Sequence, residues 1–401
     1  MKTKLIALIL FSATAAALAT YPAIEAIDST TRVTQPTTDP GHYTQDRPRV
    51  DVVFALDTTG SMGGMIEAAK EKIWSIASNM ASAQPAPEIR IGLVAYRDRG
   101  DSYVTRVTDL STDMDSMYAT LMDFKAAGGG DGPESVNRAL DDALNKMSWS
   151  QDPNAYKVIF LVGDAAPHMD YPNERLFPEI AADAKSRQIV INTIQCGQDH
   201  AARKSWVDIA QLGAGEYFQV GQSGSALALT TPYDGRIAEL SRQLDSTRLY
   251  FGTAKQKEMQ QQKLDATEKL HDKSSVESRA RRAEYNLSKS GESNFLGENE
   301  LVDGVVSGRI ELDNIAREAL PAPMQAMAPA EQKQLITEKA EQRKRLRRQI
   351  EALSRERSDY LEQKVEELGD SRDSLDYKIQ STVKAQAEKK GLDYDASRMR
   401  Y

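Results

Sequence analysis

Cysteine is almost missing from this chain: Cys196 is the only one in 401 residues. A lone thiol excludes an internal disulfide framework. The fold must instead be held by a packed core, which a chain of this length can supply. Cys196 closes the run Ile189-Val-Ile-Asn-Thr-Ile-Gln-Cys196 and is expected to be an inert thiol at a buried strand end. Histidine is scarce too. There are four (His42, His168, His200 and His271), and no two have zinc-site spacing. An excess of basic charge is also absent. The formal net charge of −8 disfavours non-specific nucleic-acid binding. After the first twenty residues no apolar run is long enough to span a bilayer.

What is present begins with a leader. Met1-Lys-Thr-Lys precedes the apolar Leu5-Ile-Ala-Leu-Ile-Leu-Phe11 and the small-residue end Ala17-Leu18-Ala19. This order predicts a signal peptide over 1–19, cleaved near Ala19. Export with so little cysteine fits a bacterial envelope protein, periplasmic or secreted. Residues 20–48, rich in Thr, Pro and Asp, read as a linker.

Residues 49–232 alternate strand and helix signals. Strands are expected at 51–56, 88–96, 103–108 (an edge strand), 156–162, 190–195 and 216–220. Helices are expected at 66–80 and 136–147 among others. Alternation of this kind predicts an α/β fold with a doubly wound, mostly parallel sheet. Residues 233–401 turn to Glu, Lys, Arg, Gln, Leu and Ala. Apolar residues recur at helical spacing in Ile237, Leu240, Leu244 and Phe251, then in Leu346, Ile350 and Leu353, then in Leu361, Val365 and Leu368. A narrow seam of this kind predicts a helical, partly coiled-coil region. It must pair with the 237–251 helix, with another copy or with a partner, and pairing within the chain is the first expectation. The basic run Arg343-Lys-Arg-Leu-Arg-Arg348 is expected to be a solvated face with local ion pairs. Arg99-Gly100-Asp101 is expected to be only a turn into the edge strand.

The chemistry gathers at Asp57-Thr58-Thr59-Gly60-Ser61, which follows the apolar strand Asp51-Val-Val-Phe-Ala-Leu56. One carboxylate and two hydroxyls stand at the carboxyl end of a parallel strand, where α/β sheets form ligand crevices. Hard oxygens spaced two apart across a Gly turn suit a small, partly hydrated divalent cation. Two more oxygen-rich segments follow: Gly128-Gly-Gly-Asp131-Gly-Pro-Glu134-Ser135 and Phe160-Leu-Val-Gly-Asp164-Ala-Ala-Pro-His168. A simpler reading has Asp57 cap the next helix, but that role needs neither Ser61 nor Asp164.

The three segments together resemble the metal-ion-dependent adhesion site of von Willebrand factor A domains. The resemblance covers somewhat under half the chain. It implies that Asp57 holds the cation directly or through water and that Thr59 and Ser61 bind it directly. Asp164 would orient coordinating waters. The family usually has a metal-binding Thr on the Gly-rich loop; here Asp131 is the first choice for that ligand and Glu134 the second. The cation expected is Mg2+, with Mn2+ and Ca2+ as alternatives. An Asp or Glu carboxylate of a protein partner would fill the open coordination position. His168 would be a group beside the ligand or, in the preferred reading, a surface loop residue. The order of A domain, Tyr250-Phe-Gly-Thr-Ala254 and charged helical tail is similar to exported bacterial A-domain proteins of unassigned function.

Two other functions compete with this one. One is a scaffold whose helical tail binds the partner, or self-associates, over a vestigial metal site. The other is a phosphoryl-transfer enzyme, because Asp57-Thr-Thr-Gly-Ser also resembles the phosphorylated Asp-Lys-Thr-Gly-Thr of P-type ATPases. Thr58 stands at the Lys position. Thr59 stands where phosphatases of the wider fold want a second Asp. The expectation is therefore a binding module and not an enzyme.

Overall fold

The computed structural model describes residues 47–130, 132–221, 229–368 and 375–394. The expected leader, most of the linker and Asp131 lie outside the described residues. The described residues form one compact unit.

Six strands form one sheet in the order β3-β2-β1-β4-β5-β6. They are β1 (Arg49–Asp57), β2 (Glu88–Tyr96), β3 (Thr105–Ser111), β4 (Tyr156–Gly163), β5 (Ile189–Cys196) and β6 (Ala214–Val220). All pairings are parallel except that of the edge strand β3 with β2. The central strands are apolar throughout because both faces are covered. Successive side chains sort to opposite faces. Val50, Val52, Phe54 and Leu56 of β1 join Tyr156, Val158, Phe160 and Val162 of β4 in one core layer. Val53, Ala55, Ile159 and Leu161 join the other. Phe54 and Phe160, paired in register, stack with ring centroids 5.5 Å apart.

Helices α1 (Gly63–Ala81) and α2 (Met114–Met122) cover the first face. Helices α3 (Val136–Asn145), α4 (Phe177–Ser186) and α5 (His200–Leu212) cover the second. The sheet is thus doubly wound, as expected. Asp113 caps α2 by accepting Ser116 N (3.2 Å), and Asp199 caps α5 by accepting Ala201 N (2.7 Å).

The region after 233 is helical: α6 (Asp234–Asp245), α7 (Ala254–Lys273), α8 (Val276–Leu287), α9 (Glu292–Leu296), α10 (Leu301–Val306), α11 (Pro329–Leu368) and α12 (Leu375–Glu388). Thr253 and Gln256 close a capping box at the start of α7. The seam residues Leu346 and Ile350 are covered within the chain. They pack with Ile237, Leu240 and Leu244 of α6, Ala280 and Ala283 of α8, and Phe295, with Leu353 against the cluster. Four helices, α6, α8, α9 and α11, share this cluster, where the sequence suggested a two-stranded pairing. Phe251 lies beyond α6, beside a short backbone bridge from Tyr250 to Glu300. The basic run is only partly solvated. Arg343 is buried and donates to Glu300 Oε1 (2.8 Å) and Thr247 Oγ1 (3.0 Å). A guanidinium is expensive to bury and stays there only when paired, and a helical period does not reveal that partner.

The helical region is built onto the sheet layer. Trp74 of α1 packs between Tyr118 of α2 (5.6 Å) and Tyr285 of α8 (5.8 Å). Beside them lies a fully buried ionic cluster. Arg282 of α8 donates to Asp115 Oδ1 (2.7 Å) and Oδ2 (2.5 Å), and to Asp245 Oδ2 (2.7 Å). Asp115 also accepts from Thr267 and Asn294, and Asp245 is met by His271 Nε2 at 2.7 Å. Burial pushes the Asp115 and Asp245 carboxyls up, but the Arg282 charge outweighs it and holds both well below the usual carboxylate range. The last helix returns to the sheet. Ile379, Val383, Ala387 and Leu392 join the first core layer, which also holds Ile194, Cys196, Phe218 and Val220. Gln386 accepts from Tyr156 OH (2.7 Å) and exchanges hydrogen bonds with Asn192. Gln84 and Asp393 pair by their backbones. Cys196 is buried as expected, and burial pushes its thiol up, away from reactivity. Among the described residues no helix is long and apolar enough to cross a membrane.

Candidate metal centre

Three loops meet at the carboxyl ends of β1, β2 and β4. The first, Thr58–Ser61, turns from β1 into α1. Asp57 Oδ1 accepts from Thr59 N (2.8 Å) and Thr59 Oγ1 (2.7 Å), and Thr59 Oγ1 lies 3.4 Å from Ser61 Oγ. Three oxygens are therefore spaced 2.7–3.4 Å in sequence. Adjacent corners of an octahedron with bonds of about 2.1 Å stand roughly 3 Å apart, so the spacing suits a small hard cation. Asp57 and Thr59 are buried, while Ser61 is exposed at the mouth.

The Gly-rich loop closes one side. Gly60 N donates to Gly128 O (3.0 Å) and Ala127 N to Thr58 O (3.1 Å). Gly129 has φ +77°, and a Cβ there would sit 3.2 Å from Thr59 Cβ and 3.5 Å from Glu134 Oε1. Glycine is needed for both the backbone angle and the close approach. Glu134 is buried, its N–H donating to Ala166 O (2.9 Å) and its carbonyl accepting from His168 N (3.1 Å). These two bonds tie the loop to the segment after β4, which carries Asp164. Gly163, just before it, has no room for a side chain: a Cβ would lie 3.1 Å from Asp57 Oδ2 and collide with the Tyr96 hydroxyl.

The electrostatics are those of crowded like charges. Burial pushes the Asp57 carboxyl up to about 7 against its two hydrogen bonds from Thr59, and the Asp164 charge adds to the rise. Burial and then the charges of Asp57, Asp98, Asp101 and Asp164 push Glu134 up to about 9. Among the described residues no donor reaches Asp57 Oδ2 or Glu134 Oε2, although both are buried. Native proteins rarely leave such atoms unmatched. No group of three or more His, Cys, Asp or Glu side chains among the described residues is arranged to hold a metal by itself. A cation would therefore depend on the hydroxyls of Thr59 and Ser61 together with Asp57. The orphaned oxygens and the hard-oxygen set fit a divalent cation.

The fold thus brings Asp57, Thr59, Ser61 and Asp164 to one place and adds Glu134, while Asp131 lies outside the described residues. His168 corrects an expectation. It is not on the surface but only 7% exposed, with Nδ1 2.8 Å from Asp170 and its ring stacked on Tyr171 at 3.9 Å. A ring with two flat faces is easily buried when an aromatic neighbour covers one of them. Arg99 and Asp101 are used internally: Arg99 lies over the Tyr171 ring (3.9 Å), and Asp101 accepts from Gly129 N. Asp98 and Tyr171 went unnoticed in the sequence. The signal that could have found Asp98 is its place just past Tyr96, at the carboxyl end of a second parallel strand.

Residues 51–232 match the family model described as von Willebrand factor A domain. Over 120 residues the chain is 36% identical to von Willebrand factor A domain-containing protein 7 of Mus musculus, covering 30% of this chain and 12% of that protein. Over 121 residues it is 30% identical to the alpha-protein kinase vwkA of Dictyostelium discoideum, covering 30% and 19%. The chain spans between 11% and 19% of the length of the curated relatives it matches. Among solved structures it is similar to the SpRpn10 VWA domain (TM-score 0.35, 16% identity, 45% of this chain and 92% of that one). It is also similar to proximal thread matrix protein 1 from the mussel byssus with a zinc-occupied MIDAS motif (TM-score 0.37, 13% identity, 45% and 43%). The chain therefore carries a von Willebrand factor A domain over residues 51–232, followed by a helical region.

Proposed function

We propose that this protein is an exported, cation-dependent protein-binding module and not an enzyme. A domains generally mediate protein–protein interaction and metal-dependent binding. The observation that carries the reading for this chain is the pair of buried, unpartnered carboxylate oxygens, Asp57 Oδ2 and Glu134 Oε2, in a cluster of like charge. Asp57, Thr59 and Ser61 would hold the cation, Mg2+ by preference, with Glu134 or Asp131 beside it and Asp164 orienting its waters. A bound cation would relieve the repulsion and offer an open position to a partner's Asp or Glu carboxylate. No nucleophile with an adjacent base is part of the reading. The leader over 1–19 supports export to the periplasm or medium.

Calorimetric titration of the full chain with MgCl2 tests the reading. One cation should bind per chain, and Asp57→Ala should abolish binding while the protein stays folded. Equal affinity in wild type and Asp57→Ala would overturn the site. A partner pull-down unaffected by chelator would overturn the cation-dependent function.

A further inference from the structure

The three loops around the candidate centre meet at a carboxylate outside the expected ligand set. Asp98 lies two residues beyond Tyr96, the end of β2, and is 5% exposed. Its Oδ1 accepts from Ser135 Oγ (2.8 Å) and Tyr171 OH (2.9 Å). Its Oδ2 accepts from the same Tyr171 OH (2.7 Å) and lies 3.4 Å from His168 Nε2. Ser135 is the chain neighbour of Glu134, and His168 N is the donor to Glu134 O. Asp101, three residues on, takes Gly129 N of the same Gly-rich loop (3.2 Å to Oδ2) and donates its own N–H to Asp98 O (3.3 Å). Both oxygens of Asp98 are thus engaged by protein donors, and they come from the loops before α3 and after β4. None of these contacts is to Asp57, Thr59 or Ser61.

We propose that Asp98 is a positioning residue of the cation site, one that holds Glu134 and its loop against Asp57 without touching the cation. The physical basis is that a ligand's affinity depends on how firmly its neighbours fix it, and outer partners of metal ligands are worth about 10–100-fold in affinity. The buried carboxylate is suited to the task because it accepts several donors at once, with charge-assisted strength. Tyr171 is the second member of the brace. Its hydroxyl bridges both Asp98 oxygens, and its ring packs on His168. This inference rests on the cation reading given above.

The test uses the full chain, titrated with MgCl2 and with MnCl2, together with amide hydrogen exchange. Asp98→Ala should weaken cation binding by about 10–100-fold in protein that remains folded by circular dichroism. It should also speed exchange at the Glu134 and His168 amides while leaving the β1 and β4 amides unchanged. Asp98→Asn, which keeps an acceptor for Ser135, should lose less. Tyr171→Phe removes one hydroxyl and decides by the same two readouts if Asp98→Ala fails to fold. Affinity within about twofold of wild type, or unchanged exchange at Glu134 and His168, would overturn the proposal. A wild-type chain that binds neither cation would sink the cation reading itself, and the exchange data would still decide whether Asp98 positions the loop.

Discussion

Asp115 and Asp57 are both buried carboxylates, one in the first turn of α2 and the other at the end of β1. Asp115 meets the Arg282 guanidinium, Thr267 and Asn294, and its carboxyl is held low. Among the described residues Asp57 accepts hydrogen bonds from Thr59 alone, lies near Asp164 and Glu134, and is pushed up to about 7, mainly by burial. Burial is the same in both places, so burial alone does not set the state of a buried acid. The difference is a counter-charge. At the junction with the helical region the chain supplies its own, Arg282. At the sheet's carboxyl end Arg97 is close enough to lower the Asp57 carboxyl but donates to Thr58, Ser102 and Lys125 instead, and the other groups around Asp57 are hydroxyls and more carboxylates, which in the proposed reading a cation from outside would complete. One site is structural and closed, and the other is the one proposed above to receive a cation.

The comparison can be broken at its strong side first. Arg282→Met should strip Asp115 and Asp245 of their main partner and cost about 3–5 kcal/mol in urea unfolding, the usual penalty for stranding a buried charge. A loss below about 1 kcal/mol would show that the cluster is not what joins the helical region to the sheet. At the other site, Mg2+ at a hundred times its Kd should raise the unfolding free energy of wild type by about 2.7 kcal/mol. Asp57→Ala should show no rise, and a rise in both would place the cation elsewhere. A smaller effect is expected in acid. Asp115 and Asp245 have folded pKa values below their unfolded ones, so their stabilisation is complete above the ordinary carboxylate pKa of about 3.9 and is lost as pH falls below it. Unfolding followed from pH 5 to pH 2 should show this limb, and Arg282→Met should flatten it.

The strands were legible because each is an apolar run of strand length with charged or small residues beyond it. The expected 88–96 strand is β2 as found, and the others differ at their ends by one to three residues. Asp57, Thr59 and Ser61 were legible because they are local, two apart on one turn. Contacts between distant residues were not. Arg282 and Asp115 are 167 positions apart, and no periodicity announces their pairing. For the same reason Arg343 read as part of a solvated face, and nothing in the sequence marked Arg357, whose Nε lies 2.6 Å from Asp234 Oδ1. The return of Ile379, Val383 and Leu392 to the sheet was equally hidden. An apolar stripe on a helix says that something covers it, and not what.

The most direct measurement is the sign of two matched substitutions in chelator-treated protein. Asp57→Asn removes a buried charge that has no cationic group hydrogen-bonded to it among the described residues and keeps an acceptor for Thr59, so it should raise the unfolding free energy, by about 1 kcal/mol. Asp115→Asn removes a charge that Arg282 needs, so it should lower it by more than that. Saturating Mg2+ should then stabilise wild type and leave Asp57→Asn behind. Destabilisation by both substitutions, with no stabilisation of wild type by Mg2+, would contradict the claim that the carboxyl end of the sheet awaits a cation.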